Sequence, residues 1–341
     1  MLAFQIDRFG AAPKLRQVSV PKPGPGEVRV DLHAASLNHL DIWVRRGVEG
    51  VRYPLPLIPG CDGAGVVAAL GAGVDDLELG TRVLLAPGIA CGHCETCSAG
   101  RDNECRHYGI LGEHRNGTNA EAIVVPRANA IPIPQALAFE DAAALPLAFL
   151  TAWHMAVARA RIQPGDDVLV HAGASGVGSC AIQIARSLRA RVITTVGSEA
   201  KANLVRSLGA EHVILYRETD FADAVRDLTE KRGVDVILDH VGADTWEGNV
   251  RSLTRGGRLV VCGSTSGHLV TANLRFLFFK NLAFLGSTMG SRSELLRVLR
   301  LVERGVLRPV VDRILPLDEV ARAHELLESR RALGKLVLQI R

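Results

Sequence analysis

The 341-residue chain has few aromatic residues, no long uninterrupted hydrophobic run and no strong excess of one charge. Aromatics make up 4% of it, the formal net charge is +4, and no basic cluster is interleaved with aromatics, so nucleic acid is not an expected partner. The most apolar stretch, 142–158, is interrupted by Pro146, Thr151 and His154 and is shorter than a usual membrane span. The first ten residues lack the basic-then-apolar order of a signal peptide. We therefore expect a cytoplasmic protein without a membrane partner.

The chain is long enough for about two domains, and its pattern changes after about residue 150. Before that point, short β-like runs alternate with Gly- and Pro-rich turns; beyond it, apolar strands alternate with helix-like segments. Alternating strands and helices predict a parallel sheet covered on both faces. The predicted fold class is α/β, with a mostly β domain at 1–149, a doubly wound parallel sheet at 150–288, and residues 289–341 returning to the first domain.

Four cysteines with the spacing C-x2-C-x2-C-x7-C stand in a polar, Gly-containing segment at about 88–112: Cys91, Cys94, Cys97 and Cys105. Four thiolates can enclose one tetrahedral zinc ion and leave no open position for a substrate. The spacing therefore predicts one structural zinc. One alternative is a set of four reduced cysteines without a metal, and a second is two disulfides, which a reducing compartment opposes. A third alternative is an iron–sulfur cluster.

A glycine-rich turn follows an apolar strand and opens a helix-like segment, with further strand–helix units after it. In this context the turn predicts a dinucleotide site, because small residues let the backbone approach a pyrophosphate at a helix N-terminus. The alternative is a tight turn without a ligand. The candidate cofactor-binding residues of the turn are Gly173, Ser175, Gly176, Val177 and Gly178. Thr151 is expected to open the next helix segment and to contact the cofactor, with a simple helix cap as its alternative role. The remaining candidates lie at the ends of predicted strands: Val241, Gly242, Cys262 and Gly263.

The end of the second strand of this unit indicates which dinucleotide is bound. NAD sites usually place an acid there, about 20 residues after the glycines, to hold the ribose hydroxyls. Here Val196 is followed by Gly-Ser-Glu-Ala-Lys, in which Ser198 and Lys201 could receive a 2′-phosphate. The sequence therefore favours NADP(H) over NAD(H), although Lys201 could also be a solvated helix residue.

Taken together, these features resemble the medium-chain dehydrogenase/reductase superfamily. The similarity covers the whole chain and includes the cysteine lobe, the turn at 173–178, the segment LNHLD at 37–41, the loop PGCDGAG at 59–65 and GKLVL at 334–338. It implies a GroES-like catalytic domain, a Rossmann domain, a small-molecule substrate and a homodimer.

Zinc alcohol dehydrogenases of this superfamily hold a second, catalytic zinc through residues that this chain replaces. The resemblance places Asn38, the pair Cys61–Asp62 and, in the apolar run 145–151, Leu147 at the corresponding positions. Asn is a poor zinc ligand and Leu is none. A metal site built from His39, Cys61 and Asp62 is the alternative.

The catalytic candidates come from the two segments that the resemblance places at the active site: Asn38, His39, Asp41 and Tyr53. Asn38 could bind the nicotinamide or a substrate carbonyl, or could simply be a turn residue. His39 could donate a proton or contact phosphate, or be structural, and Asp41 could orient it or cap a helix. Tyr53 could protonate an enolate. Trp43 and the phenylalanines at 276, 278 and 279 could line an acyl pocket or pack in the core.

The function expected from the resemblance is an NADPH-dependent reductase of an activated C=C bond, in an α,β-unsaturated carbonyl, an enoyl-CoA thioester or a quinone. Such a bond is polarised by the substrate's own carbonyl and needs no Lewis acid. Two alternatives are a zinc alcohol dehydrogenase with unusual ligands and a non-catalytic NADPH-binding protein.

Overall fold

The structure is a computed structural model that describes residues 1–10, 14–48 and 50–341. No helix in these ranges is long and apolar enough to cross a membrane. In chain order the strands are β1 Leu2–Gln5, β2 Lys14–Gln17, β3 Glu27–Ser36, β4 Asp62–Leu70, β5 Arg82–Leu85, β6 Gly88–Ile89, β7 Gly109–Ile110, β8 Ala122–Pro126, β9 Ala130–Pro132, β10 Asp167–Val170, β11 Arg191–Val196, β12 His212–Leu215, β13 Val234–Asp239, β14 Leu253–Val261, β15 Ala283–Gly286, β16 Val311–Pro316 and β17 Lys335–Gln339.

The α-helices are mostly short in the first half of the chain and longer in the second. They are α1 His39–Arg46, α2 Glu95–Ser98, α3 Phe139–Ala143, α4 Pro146–Trp153, α5 Gly176–Ser187, α6 Glu199–Leu208, α7 Phe221–Leu228, α8 Ala243–Ser252, α9 Leu274–Phe279, α10 Arg292–Glu303 and α11 Val320–Glu328. A π-helical turn, His154–Arg159, follows α4.

The first compact unit contains residues 1–147, 291–295 and 309–341 and is mostly β. Its seven-stranded sheet has the order β16-β17-β3-β4-β5-β9, with β8 also paired to β3. β3 is its central strand, and its alternate residues Val28, Val30 and Leu32 are fully buried because successive side chains of a strand point to opposite faces. The end of β3 pairs with the start of β4, Ser36 with Asp62, and with β17. The sheet thereby brings chain segments near residues 36, 62 and 335 together.

The cysteine segment is an excursion from this unit. The two-residue strands β6 and β7 pair antiparallel, Gly88 with Ile110, at the base of the excursion. Between them lie α2 and a short 3₁₀ turn, Asp102–Glu104. The paired base brings together the two ends of the segment that holds the four cysteines.

The second compact unit contains residues 148–290 and 296–308. Its six strands are all parallel, in the order β12-β11-β10-β13-β14-β15, and all four residues of β10 are buried, as expected of a strand covered on both faces. The chain runs outward from β10 to β12 and then returns to the other side of β10 at β13. The order of strands therefore reverses between β10 and β13, which is where ligands bind in open α/β sheets. The predicted α/β fold with a mostly β domain and a doubly wound parallel sheet is confirmed.

The C-terminal part divides differently from the predicted return of the whole segment 289–341. Residues 296–308, which include most of α10, group with the second unit. Val298 and Leu307 are buried, and the side chain of Gln183 both donates to and accepts from the backbone of Arg308 at 3.0 Å. These contacts to α5 account for the grouping.

Candidate active site and metal centre

The four predicted zinc ligands converge. The Sγ atoms of Cys91, Cys94, Cys97 and Cys105 all lie within 4.8 Å of one another, and their closest pairs are 3.5–3.9 Å apart. A tetrahedron of thiolates about 2.3 Å from a zinc ion has sulfur atoms about 3.8 Å apart, so the spacing fits one ion. Disulfides need sulfur atoms about 2.05 Å apart, and a cluster of several irons needs room between the sulfurs for its own atoms. Neither alternative matches these distances.

Hydrogen-bond donors lie close to two of the sulfurs. The Thr96 hydroxyl lies 3.2 Å from the Cys94 sulfur, and this hydrogen bond, followed by the backbone N–H of Cys97, lowers the pKa of Cys94 to about 5. Burial, followed by the neighbouring Cys94, raises the pKa of Cys97. The backbone N–H of His107 donates to the Cys105 sulfur at 3.4 Å. Such outer contacts orient metal ligands and stabilise their charged form.

A second polar cluster lies where β3, β4 and β17 meet in the first unit. The ammonium group of Lys335 contacts the Asp62 carboxylate at 3.1 Å and donates to the Asn38 side-chain oxygen at 2.6 Å and to the Leu37 carbonyl at 2.9 Å. The Asn38 amide nitrogen donates to Asp62 at 2.8 Å and to the Cys61 sulfur at 3.4 Å. Lys335 is 3% exposed and Asp62 is fully buried. A buried charged pair of this kind needs all of its hydrogen bonds to offset the loss of water.

The Asp62 carboxylate is saturated by protein donors. Its second oxygen accepts the backbone N–H of Leu147 at 2.8 Å, and the Ser36 hydroxyl lies 3.3 Å from the first oxygen. Burial, followed by the neighbouring Asp62, raises the pKa of the Cys61 thiol well above its ordinary value, so the thiol keeps its proton. Within 1–10, 14–48 and 50–341, the four-cysteine cluster is the only group of three or more His, Cys, Asp or Glu ligand atoms close enough to share an ion.

This donor set does not fit a second zinc ion. Zinc sites supply three or four unengaged N, O or S donors. Here the ammonium of Lys335 already provides the positive charge beside Asp62, and Leu147 contributes only its backbone N–H. Of the residues that the resemblance places at the catalytic-zinc positions, Asp62 forms an ion pair with Lys335, and Asn38 and Leu147 donate hydrogen bonds to Asp62.

Asp41 acts as a helix-capping acid and holds the adjacent loop. One of its oxygens accepts the backbone N–H of Asn38 at the start of α1, 2.7 Å away, and the other accepts the N–H of Gly60 at 2.9 Å. Burial raises the pKa of Asp41 to about 7, although both N–H donors oppose this. Gly60 has φ +96°, and a Cβ there would lie 2.6 Å from Thr118 and Asn119 atoms, so a glycine is required.

The other predicted catalytic residues lie near this cluster in sequence but are not joined to it by hydrogen bonds. His39 begins α1, and its ring centroid is 6.5 Å from that of Trp43. Burial, followed by the charges of Arg330 and Lys335, lowers the pKa of His39. Tyr53 packs edge-on against Phe9 at 5.5 Å, and burial raises the pKa of its phenol. Their catalytic roles remain predictions, as does a contact of Asn38 with a substrate.

The glycine turn lies at the carboxyl end of β10 in the second unit. Ser175 caps α5 with its hydroxyl oxygen, which accepts the N–H of Gly178 at 3.0 Å. A Cβ at Gly178 would lie 2.3 Å from the Ala172 carbonyl, so only glycine allows α5 to approach the strand this closely. The turn, the helix N-terminus and the neighbouring switch in strand order fit a bound pyrophosphate.

The predicted residues of β13 and β14 lie at the same edge of the sheet. Val241 and Gly242 follow β13, and Cys262 and Gly263 follow β14. The Cys262 N–H donates to the backbone carbonyl of Asp239 at 3.1 Å. Thr151 is placed differently from the prediction. It is the sixth residue of α4, which begins at Pro146, and it is 5% exposed, so it neither opens nor caps that helix.

The residues predicted to select the cofactor lie at the end of β11. Two further side chains, which the sequence interpretation missed, reach the same place from the end of β12. Ser198 is the N-cap of α6, and Lys201 lies in the first turn. A Cβ at Gly197 would lie 2.8 Å from the Tyr216 hydroxyl and 3.3 Å from Arg217 Nε, so both side chains reach this position from the end of β12. Glu199 pairs with Arg206 at 2.6 Å.

The main omissions from the sequence interpretation were Lys335, Arg217 and His240. His240, at the end of β13, places Nε2 3.1 Å from the Ser175 hydroxyl. Lys335 carried a signal, since it is a lone cation at the start of the apolar run KLVL and so required a buried partner. Arg217 follows the apolar strand HVIL, at the strand end where parallel sheets bind ligands.

Comparison with known proteins agrees with this architecture. Residues 24–135 match the alcohol dehydrogenase GroES-like domain, and residues 176–304 match the zinc-binding dehydrogenase family. A solved NAD-dependent alcohol dehydrogenase is 49% identical, with a TM-score of 0.96 and complete coverage of both chains. The chain is a medium-chain dehydrogenase/reductase.

Relatives of this medium-chain dehydrogenase/reductase carry different activities. A protein of Sulfolobus acidocaldarius named NAD-dependent alcohol dehydrogenase is 32% identical over the full length of both chains. A 2-haloacrylate reductase of a Burkholderia species is also 32% identical, over 94% of this chain and 93% of its own. The superfamily assignment makes this protein an oxidoreductase. The names of these relatives point to different substrates and so do not identify the substrate of this protein.

Proposed function

We propose that this oxidoreductase reduces an activated C=C bond, in an α,β-unsaturated carbonyl, an enoyl thioester or a quinone, with NADPH. The carrying observation is the Lys335–Asp62–Asn38 cluster, which has an ammonium group and no free donor set at the positions of a catalytic zinc. In a zinc alcohol dehydrogenase, the metal acts as the Lewis acid that stabilises the alkoxide. A conjugated carbonyl instead spreads the incoming charge into an enolate, which hydrogen-bond donors can stabilise.

The residues divide into binding and positioning roles. The turn 173–178 would hold the dinucleotide, which supplies a hydride to the β-carbon of the substrate. Asn38 is a positioning residue in this proposal, since Lys335, Asp62 and Cys61 engage its amide atoms. Tyr53 and His39 are the candidate proton donors to the α-carbon; the lowered pKa of His39 favours its neutral ring and so makes the Tyr53 phenol the better candidate.

The preference for NADPH rests on the residues around Gly197. No carboxylate follows Val196 directly, and Glu199 pairs with Arg206. Lys201 and Arg217 offer two cations near Ser198, which suits the charge of a 2′-phosphate. Lys201→Ala and Arg217→Ala should each weaken NADPH binding about tenfold, which corresponds to about 1.4 kcal/mol. NADH binding should stay within about twofold, because NADH lacks the 2′-phosphate. Fluorescence titration of both cofactors measures this, and equal losses for the two would contradict the preference.

An alcohol dehydrogenase is the second candidate, favoured by the name of the 49%-identical structure. One assay separates the two functions. Purified protein is given NADPH with a haloacrylate, an enone and a quinone, and NAD⁺ or NADP⁺ with primary and secondary alcohols, before and after mild chelation. Turnover of a conjugated substrate that is unchanged by chelation supports the proposal. Faster turnover of alcohols, restored by added zinc, would establish the dehydrogenase.

A homodimer is also proposed, from an apolar surface on the second unit. β15 ends the parallel sheet and pairs only with β14 among the described strands, and the nearby segment exposes large apolar side chains. The most exposed are Leu269 at 81%, Phe279 at 65%, Leu274 at 64% and Phe278 at 61%. A second copy can cover both the unpaired edge and this surface through a two-fold axis. Light scattering of Phe278→Asp should then show a monomer where the wild type is a dimer, and a monomeric wild type would refute the proposal.

A further inference from the structure

A basic cavity of about 460 Å³ lies in the second unit, at the edge of the sheet opposite to the glycine turn. It opens where β13 and β14 begin, next to the C-terminal ends of α7 and α8. β13 has six residues, so this edge is about 17 Å from the carboxyl edge that carries the dinucleotide site. The lining includes six basic side chains and no acidic one: Arg226, Lys231, Arg232, Arg251, Arg255 and Lys280.

Two of these cations are neutralised by carboxylates. Arg232 pairs with Asp235 at 2.8 Å and with Asp167 at 2.7 Å, and Arg251 pairs with Asp223 at 2.5 Å. For the other four, the described part of the chain shows no ion pair with a carboxylate. Arg255 donates to the Phe279 carbonyl at 2.7 Å, and Lys280 donates to the Leu253 carbonyl at 2.9 Å, both at helix ends.

Helix dipoles do not balance the remaining charge. The C-terminal ends of α7, α8 and α9 each contribute up to roughly half a negative charge. Against four cations without an ion pair, this leaves an excess of roughly two to three positive charges around one cavity. Burial, followed by the charges of Arg226 and Arg255, lowers the pKa of Lys280, as expected of cations held together without a counter-ion.

The turn that carries Lys231 over the cavity is strained. Glu230 and Lys231 have φ of +50° and +65°, a left-handed conformation that costs roughly 1 kcal/mol or more for each non-glycine residue. The Thr229 hydroxyl accepts the N–H of Gly233 at 2.9 Å and closes this turn. The fold thus holds cationic side chains at the cavity at a conformational cost.

We propose that this cavity binds the di- or triphosphate group of a small molecule. Three or four negative charges offset the excess of cations, and the volume lies in the range of small-molecule sites. The guanidinium groups of Arg226 and Arg255 would contact the phosphate oxygens in pairs of hydrogen bonds, and the Lys231 and Lys280 ammonium groups would act as point charges. A single phosphate ion would leave most of the charge and volume unmatched.

The test is calorimetric titration of the full-length protein with inorganic triphosphate while the dinucleotide site is saturated with NADPH. The saturation excludes binding at the glycine turn. We expect binding to the wild type, at least tenfold weaker binding to Arg226→Ala/Arg255→Ala, and no change for Arg300→Ala, an exposed arginine on α10 that serves as the matched control. Lys231→Asn, which tolerates the left-handed turn, is a second variant in case the double variant unfolds, and it should weaken binding several-fold.

Additional titrations with orthophosphate and ATP complete the design. Orthophosphate should bind at least tenfold more weakly than triphosphate, and equal affinities would refute a site for several phosphates. ATP binding tighter than triphosphate would identify the ligand as a nucleotide, whereas equal affinities would identify the phosphate chain alone as the recognised group. No triphosphate binding, or the same loss in Arg300→Ala as in the double variant, overturns the proposal without bearing on the reductase activity.

Discussion

Two polar clusters in the first unit both resemble cation-binding sites, but they contain different donors. The cysteine lobe brings four sulfur atoms to 3.5–3.9 Å with no basic side chain among them. The cluster at the end of β3 contains an ammonium group, which lies 3.1 Å from the Asp62 carboxylate and 2.6 Å from the Asn38 amide oxygen. The first cluster needs an added cation to offset the repulsion between thiolates, and the second already contains one. The donors of the first cluster therefore fit a metal ion, whereas those of the second do not.

The largest effect is expected from breaking the cysteine lobe. Cys94→Ser should abolish tight zinc binding and destabilise the first unit by roughly 4–5 kcal/mol, because the metal organises the segment between β6 and β7. Metal analysis and thermal unfolding measure the two effects. Cys180→Ala, a buried cysteine on α5, is the control and should retain the zinc. A zinc-loaded Cys94→Ser protein of unchanged stability would show that the lobe does not depend on the metal.

A smaller loss is expected from removing the ammonium group of the second cluster. Lys335→Met should cost roughly 3–5 kcal/mol, since it leaves the buried Asp62 carboxylate unpaired. Asp62→Asn in the same background removes that charge while keeping the acceptor for Leu147. The double variant should therefore be more stable than the sum of the single losses indicates, by about 1–3 kcal/mol. Strictly additive losses in denaturant unfolding would mean that the two side chains do not stabilise each other.

The smallest effect concerns His324, a buried titratable group whose ring nitrogens, unlike the Lys335 ammonium, find no hydrogen-bond partner among residues 1–10, 14–48 and 50–341. Burial, followed by the charge of Arg45, lowers the pKa of His324 to about 4, against the opposing effect of Glu328. Between pH 6.5 and 4 the unfolded chain then binds this proton and the folded chain does not. Stability should fall with decreasing pH by at most about 1.4 kcal/mol per unit from this residue.

His324→Leu isolates that contribution. The variant should lose less stability than the wild type between pH 6.5 and 4, because Leu binds no proton in either state. His268→Leu, at an exposed position, is the matched control and should leave the wild-type slope unchanged. Parallel curves of unfolding free energy against pH for His324→Leu and the wild type would show that His324 takes up its proton in the folded state.

What could be predicted from the sequence depended on how far apart in the chain the residues of a feature lie. The cysteines and the turn 173–178 each fall within one short segment, so their spacing was enough to predict the lobe and the strand–turn–helix unit. The cluster around Asp62 joins residues 36–41, 61–62 and 335 through the pairing of β3 with β4 and β17. No spacing encodes that pairing, and Lys335 was therefore missed although its motif had been noted.

The position of Thr151 failed for a related reason. The helix was expected to open there, but it begins at Pro146, whose fixed φ suits a first helical position. Arg217 was missed because it reaches Gly197 from a different strand, and the cofactor prediction had considered only the residues that follow β11 in the chain.

The zinc content of the purified wild-type protein tests the central claim most directly. Elemental analysis of protein purified without a chelator and dialysed into metal-free buffer, with protein concentration determined by amino-acid analysis, gives the number of ions per chain. One zinc per chain, lost in Cys94→Ser and retained in Lys335→Met, is the predicted result. Two zinc ions per chain, with one lost in Asp62→Asn, would show that the cluster at the end of β3 is a metal site and would contradict the account.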